Sequence, residues 1–323
     1  MYESIKNFSN QFEFEPEIEN AGKFKRYKNF VVCGMGGSAL AGDLLKITNS
    51  KSQITIWRDY NLPKVEKDTL IIASSYSGNT EETIDAFRTA LKRKLPLVAI
   101  TTGGKLLELA KKYNTPYIQI PSAGWRTGIQ PRMATGFMIT ALMKLMRLDR
   151  LLLESSRLPR RLNIKMSQRA GKALAEKLRG KIPIIYSSNK NFPIAYNWKI
   201  KFNETAKIPA FANVFPELNH NEMNGFSAKG PARASASGGD FAFIFLEDEA
   251  DDQRIQKRMK ITKKLYEGKK LEVRSLKLEG KNILHKIFQH LLIADWTAFY
   301  LAKYYGADPE QVPMVEEFKK MIK

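Results

Sequence analysis

The sequence predicts an α/β protein made of two doubly wound parallel-sheet halves. Three observations carry this expectation. Apolar runs of strand length alternate with helix-like patterns along most of the chain. The runs are continuously apolar, as in sheets covered on both faces, where strict alternation would mark a half-exposed sheet. And 323 residues exceed what one core comfortably uses, so two domains of similar size are the default.

In the first half the strands are read at 29–34 (NFVVCG), 53–57 (QITIW), 69–74 (TLIIAS), 96–101 (PLVAIT) and 117–120 (YIQI). Helical patterns occupy 38–47, 80–93 and 104–113, and the strongly apolar 132–147 closes this domain as a helix. The stretch 148–163 reads as a connecting element with L-P-R-R as its linker. Alternation then resumes: helix 165–179, strand 181–187, helix 193–206, a short strand at 208–212 and a clear one at 241–246. A charged amphipathic helix at 251–267, a strand at 271–277, a long helix at 282–304 and a short helix from 313 follow. The expected domains are therefore 1–150 and 151–323. No low-complexity tract or short repeat points to a solenoid.

Composition narrows the class. Hydrophobic residues make up 43% and aromatics 11%, which suits a folded globular chain. No apolar run approaches the roughly 20 residues that span a bilayer, and the first residues lack the basic start and apolar core of a signal peptide. Cys33 is the only cysteine, so no disulfide framework or cysteine metal site is expected. Together these predict a cytoplasmic protein without a membrane partner. The net charge of +20 admits two readings, a nucleic-acid binder or a basic surface on an enzyme of anionic substrates. No helix-turn-helix, RNP or zinc-finger pattern accompanies it. The densest basic stretch, from Arg157 to Lys181, suits a solvated face. No nucleic-acid partner is expected.

The strongest local signal is Gly34-Met35-Gly36-Gly37-Ser38 between the first strand and its helix. A glycine turn there lets backbone N–H groups approach an anion. The spacing is neither G-x-G-x-x-G nor G-x-x-x-x-G-K-[ST], which argues against a dinucleotide or a nucleoside triphosphate. A second junction, Ser74-Ser75-Tyr76-Ser77-Gly78-Asn79-Thr80, puts four hydroxyls besides tyrosine's before the next helix. Helix capping by Ser77 or Thr80 would need one such residue. Both loops follow strands of one parallel sheet, where open α/β folds place ligands. Gly37, Ser38, Ser75, Ser77 and Thr80 are thus candidates for holding a phosphate.

The pair G-M-G-G-S and S-S-Y-S-G-N-T-E-E-T resembles the sugar isomerase (SIS) domain of phosphosugar isomerases and phosphosugar-binding regulators. With Tyr60 in R-D-Y-N-L-P, Q-P-R-M (130–133), F-N-E-T (202–205), L-N-H-N-E (218–222) and a C-terminal E-E-F-K-K, the whole chain resembles the bifunctional phosphoglucose/phosphomannose isomerase family. The resemblance implies two flavodoxin-like sugar isomerase subdomains and a homodimer. It also implies interconversion of glucose 6-phosphate or mannose 6-phosphate with fructose 6-phosphate.

Aldose–ketose isomerisation needs a proton shuttle for ring opening, a base that moves a proton between C1 and C2 through a cis-enediolate, and a positive group beside the oxyanion. Residues alone leave Glu204 a helix carboxylate, with Glu217 its competitor; the resemblance implies that Glu204 is the base. His220 sits in a polar loop, whereas His285 and His290 lie five apart on one helix and read as packing or surface residues. The resemblance gives His220 the ring-opening role and has it reach the neighbouring subunit's site. Arg132 is expected to open the apolar helix, where the dipole disfavours a cation; the resemblance implies that it stabilises the enediolate. Lys319, with Lys320 as the other register, matches a family lysine near the sugar. Val312 stands where some members carry a hydroxyl, a departure that bears on glucose-versus-mannose specificity.

No H-x-H or H-E-x-x-H pattern is present, and nothing points to a nicotinamide, flavin or pyridoxal cofactor. The competing readings are a phosphosugar sensor without chemistry and an isomerase of another, amino, sugar phosphate. The joint presence of Glu204, His220 and Arg132 argues against the first. The absence of a nucleophile cysteine after Met1 argues against the second.

Overall fold

The computed structural model describes residues 1–48, 52–121, 129–226 and 240–322. The chain forms two compact units, Glu3–Leu162 and Asn163–Lys323 together with Met1–Tyr2.

A short helix α1 (Tyr2–Lys6) opens the chain. The first unit continues with β1 (Asn29–Cys33), α2 (Gly36–Lys46), β2 (Gln53–Trp57), β3 (Leu70–Ser74) and α3 (Glu81–Lys92). Next come β4 (Leu97–Thr101), α4 (Gly104–Lys112), β5 (Tyr117–Gln119), α5 (Thr135–Leu145) and α6 (Asp149–Ser155). Among the described residues its sheet has the order β2-β1-β3-β4-β5, parallel throughout. This is the doubly wound order expected: the sense in which strands are added reverses between β1 and β3, while every strand keeps the same direction. β3 and β4 are buried at every position, which is why their sequences show no alternation. Cys33 ends β1, and burial pushes its thiol pKa up to about 12. It should therefore be inert in the native protein. Titration with an aromatic disulfide reagent should find no reactive thiol until denaturant is added, and a fast native reaction would contradict this placement.

Two segments of the first unit differ from expectation. The stretch read as a linker is largely helical: α6 is followed by a 310 turn, Leu158–Arg160, that packs on another, Phe8–Glu13. Leu158 is fully buried there, and that burial stabilises the turn. The apolar helix begins at Thr135; Pro131–Met133 forms a separate 310 turn, so Arg132 precedes the helix.

The second unit contains α7 (Ile164–Lys177), β6 (Lys181–Ser188), α8 (Phe192–Lys201), β7 (Phe211–Phe215) and β8 (Asp240–Glu247). After these come α9 (Gln253–Gly268), β9 (Glu272–Lys277), α10 (Ile283–Tyr305) and α11 (Pro313–Met321). Its strands are also all parallel, in the order β7-β6-β8-β9. That repeats β2-β1-β3-β4, so the two units share one winding. β7 starts three residues later than the sequence suggested, because Pro209 has no N–H for a ladder and pairing with β6 begins at Phe211.

Candidate functional site

The two loops of the first unit meet at the β1/β3 reversal. The Tyr76 backbone N–H donates to Ser38 Oγ at 2.9 Å, and Ser74 Oγ donates to the Ser38 carbonyl at 3.1 Å. Ser75 Oγ lies 2.8 Å from Thr80 Oγ1 and accepts from the Gly78 N–H at 3.1 Å. Ser77, which is exposed, accepts from the Asn79 N–H at 3.3 Å. Thr80 stands at the N-cap of α3 but makes no capping bond; its hydroxyl is turned to Ser75. The hydroxyls therefore build a loop scaffold and are not spent on capping. Gly78 has φ +70°, and an added Cβ would lie 1.8 Å from the Gly103 carbonyl oxygen, so the turn requires glycine. Glu81 and Glu82 occupy the first turn of α3, whereas the first turn of α2 carries no acid. The α2 terminus, with Gly37 and Ser38, is electrostatically the better place for an anion.

Arg132 joins this site. An added Cβ on Gly37 would lie 2.6 Å from the Pro131 carbonyl oxygen and 2.8 Å from the Arg132 nitrogen. The 310 turn thus rests directly on the glycine loop, and Arg132 is 2% exposed. Gln11 holds the turn from behind: its Nε2 donates to the Met133 carbonyl at 2.7 Å. Its Oε1 accepts from the N–H groups of Gly136 (3.0 Å) and Phe137 (3.3 Å). No local pattern marks Gln11, because its partners lie more than a hundred residues away in sequence. Gln11→Ala should cost about 3 kcal/mol by stranding these buried groups, read as a lowered urea midpoint with an unchanged slope; a midpoint equal to wild type would show that water replaces it.

The structure thus brings Gly37, Ser38, Ser75, Ser77, Thr80 and Arg132 together. Glu204, His220 and Lys319 belong to the second unit, on separate elements. Glu204 lies in a π-helical turn, Phe202–Ala206, that continues α8; it is half-buried between buried Phe202 and Thr205. Lys207, in the left-handed region at φ +59°, ends the turn, and its ammonium donates to the Glu204 carbonyl. His220 is exposed at the end of a 310 turn, Glu217–His220, that Leu218 anchors by full burial. Its neighbour Glu222 accepts from Tyr186 Oη at 2.5 Å and from Asn213, which ties the loop to β6 and β7. Glu217 is exposed and accepts from Asn221 at 2.6 Å. His290 is buried, its ring nitrogens 2.7 and 2.8 Å from the Lys286 and Lys277 carbonyl oxygens, as a packing residue should be. Lys319 is exposed on α11 and bonds Glu316 at 2.8 Å, and Val312 is the N-cap of that helix.

At the β6/β8 reversal of the second unit the arrangement differs. Asp251 accepts from Ser188 Oγ at 2.9 Å and from Asn191 Nδ2 at 3.2 Å. Asp248 accepts from Lys286 Nζ at 2.7 Å and from Asn191 at 3.1 Å. Both carboxylates are buried. Burial pushes the Asp251 pKa up. Burial would also raise Asp248, but bonds from Lys286, the Ala250 N–H and Asn191 outweigh it and hold that carboxyl below its usual range. This crevice is filled by the protein's own groups. Among the described residues, no three His, Cys, Asp or Glu side chains gather as a metal site, and no helix is long and apolar enough to cross a membrane.

Comparison with known proteins identifies the family. Residues 167–322 match the model of the bacterial phospho-glucose isomerase C-terminal SIS domain. The chain is 34% identical over 328 residues to the bifunctional phosphoglucose/phosphomannose isomerase of Aquifex aeolicus, covering 100% of this chain and 98% of that one. The chain belongs to the bifunctional phosphoglucose/phosphomannose isomerase family. A second member of this family, from Caldicellulosiruptor bescii, is 36% identical over 344 residues, with 100% and 98% covered. The fold of this chain is also found in solved structures of low sequence identity. The crystal structure of glucosamine-6-phosphate deaminase from Thermotoga maritima superposes with a TM-score of 0.66 over 97% of both chains, at 15% identity.

Proposed function

We propose that this protein interconverts glucose 6-phosphate and mannose 6-phosphate with fructose 6-phosphate, without a metal ion. The observation that supports the reading is the Ser38–Tyr76 junction, whose glycine loop rests against the backbone of the Arg132 turn. The first half of the chain (1–150) then holds the phosphate through Gly37, Ser38, Ser75, Ser77 and Thr80. The second half (151–323) supplies the acid–base groups.

In this reading His220 delivers a proton to the ring oxygen as the C1–O5 bond breaks and the C1 hydroxyl gives up its proton, leaving the open aldose. Glu204 takes the C2 proton, and the electron pair moves toward the C1 oxygen to form the cis-enediolate. Arg132 stabilises that oxyanion. Glu204 then returns its proton to C1 while the C2 hydroxyl passes its proton to the C1 oxygen and becomes the ketone, so the net reaction is redox-neutral. Half-burial of Glu204 supports the base role, since a general base must be partly shielded from bulk water yet reachable by substrate. Lys319 sits near the sugar once substrate is bound, and His220 acts on the site of a second subunit in a homodimer. Val312 puts an apolar side chain where a hydroxyl could read the C2 configuration.

The test is a coupled assay on all three sugar phosphates, with and without EDTA. Turnover of glucose 6-phosphate and mannose 6-phosphate, undiminished by chelator, is the expected result. No turnover on any of the three would favour a phosphosugar sensor, and a metal requirement would overturn the mechanism.

A further inference from the structure

We infer that the buried ion pair between Lys201 and Asp295 is the device that positions Glu204. The inference rests on the reading of Glu204 as the base. Lys201 is the last residue of α8, and the π-helical turn carrying Glu204 begins at the next residue. Its ammonium donates to Asp295 Oδ1 on α10, and the two side chains are only 2% and 3% exposed. The turn itself packs on α10, with Phe202, Thr205 and Ala206 buried.

Two physical arguments lead from these contacts to a role. First, a fully desolvated ion pair is a poor source of stability: apolar residues of similar volume at such places are commonly as stable or more so. What the pair supplies that apolar residues would not is a directional, charge-assisted bond between two fixed points. Second, a π-helical turn breaks the regular i to i−4 ladder and recurs at functional sites. Such a turn must be held from both ends. Downstream, Lys207 in the left-handed region closes it, and Asn203 Nδ2 donates to the Ile208 carbonyl at 3.0 Å. Upstream, the residue that enters the turn is Lys201, and Asp295 fixes it to the longest helix of the unit. The pair touches no substrate in this account. It acts through the backbone to hold the Glu204 carboxylate at the distance and angle that proton transfer requires, where an error of about 1 Å is worth about 10²-fold in rate.

The test separates positioning from stability. The double variant Lys201→Met/Asp295→Leu should melt within a few degrees of wild type. For glucose 6-phosphate it should lose about 10²-fold in kcat with KM changed by less than about threefold. Asp295→Glu, which keeps both charges and adds one methylene, should stay folded and lose about tenfold in kcat at unchanged KM, and it covers the case in which the double variant does not fold. Wild-type kcat in either folded variant overturns the inference, as does a loss confined to KM. Glu204→Gln is measured alongside. If it is inactive while the pair variants keep full kcat, only the positioning role fails; if it keeps wild-type kcat, the base assignment fails and the inference falls with it.

Discussion

Glu204→Gln should lower kcat by about 10²–10⁴-fold, the range that general acid–base catalysis contributes, while KM stays within about tenfold. The substitution is close to isosteric and leaves the π-turn's backbone contacts, including the Lys207 bond to the residue 204 carbonyl, in place. The loss would therefore report chemistry and not folding. A fall in kcat without a matching rise in KM is the signature of a group that acts in the transition state. A second readout is direct: in deuterated water the variant should no longer exchange the C2 hydrogen of glucose 6-phosphate. Glu217→Gln is the natural control, since Glu217 is exposed and bonded to Asn221. If that variant collapses and Glu204→Gln does not, the two carboxylates exchange roles.

Gly37→Ala should reduce kcat/KM by about 10²-fold in a protein that still folds. The added methyl would fall 2.6 Å from the Pro131 carbonyl oxygen, 2.7 Å from its carbon and 2.8 Å from the Arg132 nitrogen. These are backbone atoms and cannot rotate away, so the glycine loop and the Arg132 turn must separate. Overpacking of this kind costs about 1–3 kcal/mol of stability, while a displacement near 1 Å at a site of charge stabilisation costs about 10²-fold in rate. Gly268→Ala is the matched control, because nothing lies within 4 Å of a Cβ placed there. Circular dichroism checks the fold and steady-state kinetics the effect. Wild-type kcat/KM in Gly37→Ala would detach the glycine loop from the Arg132 turn in function, whatever their contact.

What could be read from the sequence followed from local physics. The central strands are buried on both faces, so LIIAS and LVAIT announce themselves as uninterrupted apolar runs. Loops that need glycine and hydroxyls at strand ends keep those residues in consecutive positions, and Gly34–Ser38 and Ser74–Thr80 were visible for that reason. What could not be read depends on partners remote in sequence. The π-turn at Glu204 is a regular helix by pattern; Lys201 and Asp295, 94 positions apart, are what its entry leans on. Gln11 lies 122 positions from the carbonyl it bonds, in a segment with no periodicity to mark it. By pattern the 310 turn at Arg132 belongs to the apolar helix, because Arg132 and Met133 run straight into it; in the structure it is a separate turn packed on the Gly37 loop.

The Asp248–Asp251–Asn191 cluster bears on how a duplicated fold can divide its labour. Both units wind the same way, yet the reversal point of the second is occupied from within: the donors of Ser188, Asn191 and Lys286 already have their acceptors. An anion arriving there would have to displace two buried carboxylates and would meet their charge. The second reversal point is thus held together by its own side chains, where the first is lined by the glycine and hydroxyl loops. Substitutions at Asp251 should accordingly lower the stability of the C-terminal unit. On the proposed reading, phosphate binding therefore falls to the first unit alone, and Glu204 and His220 stand on elements of the second unit outside this cluster.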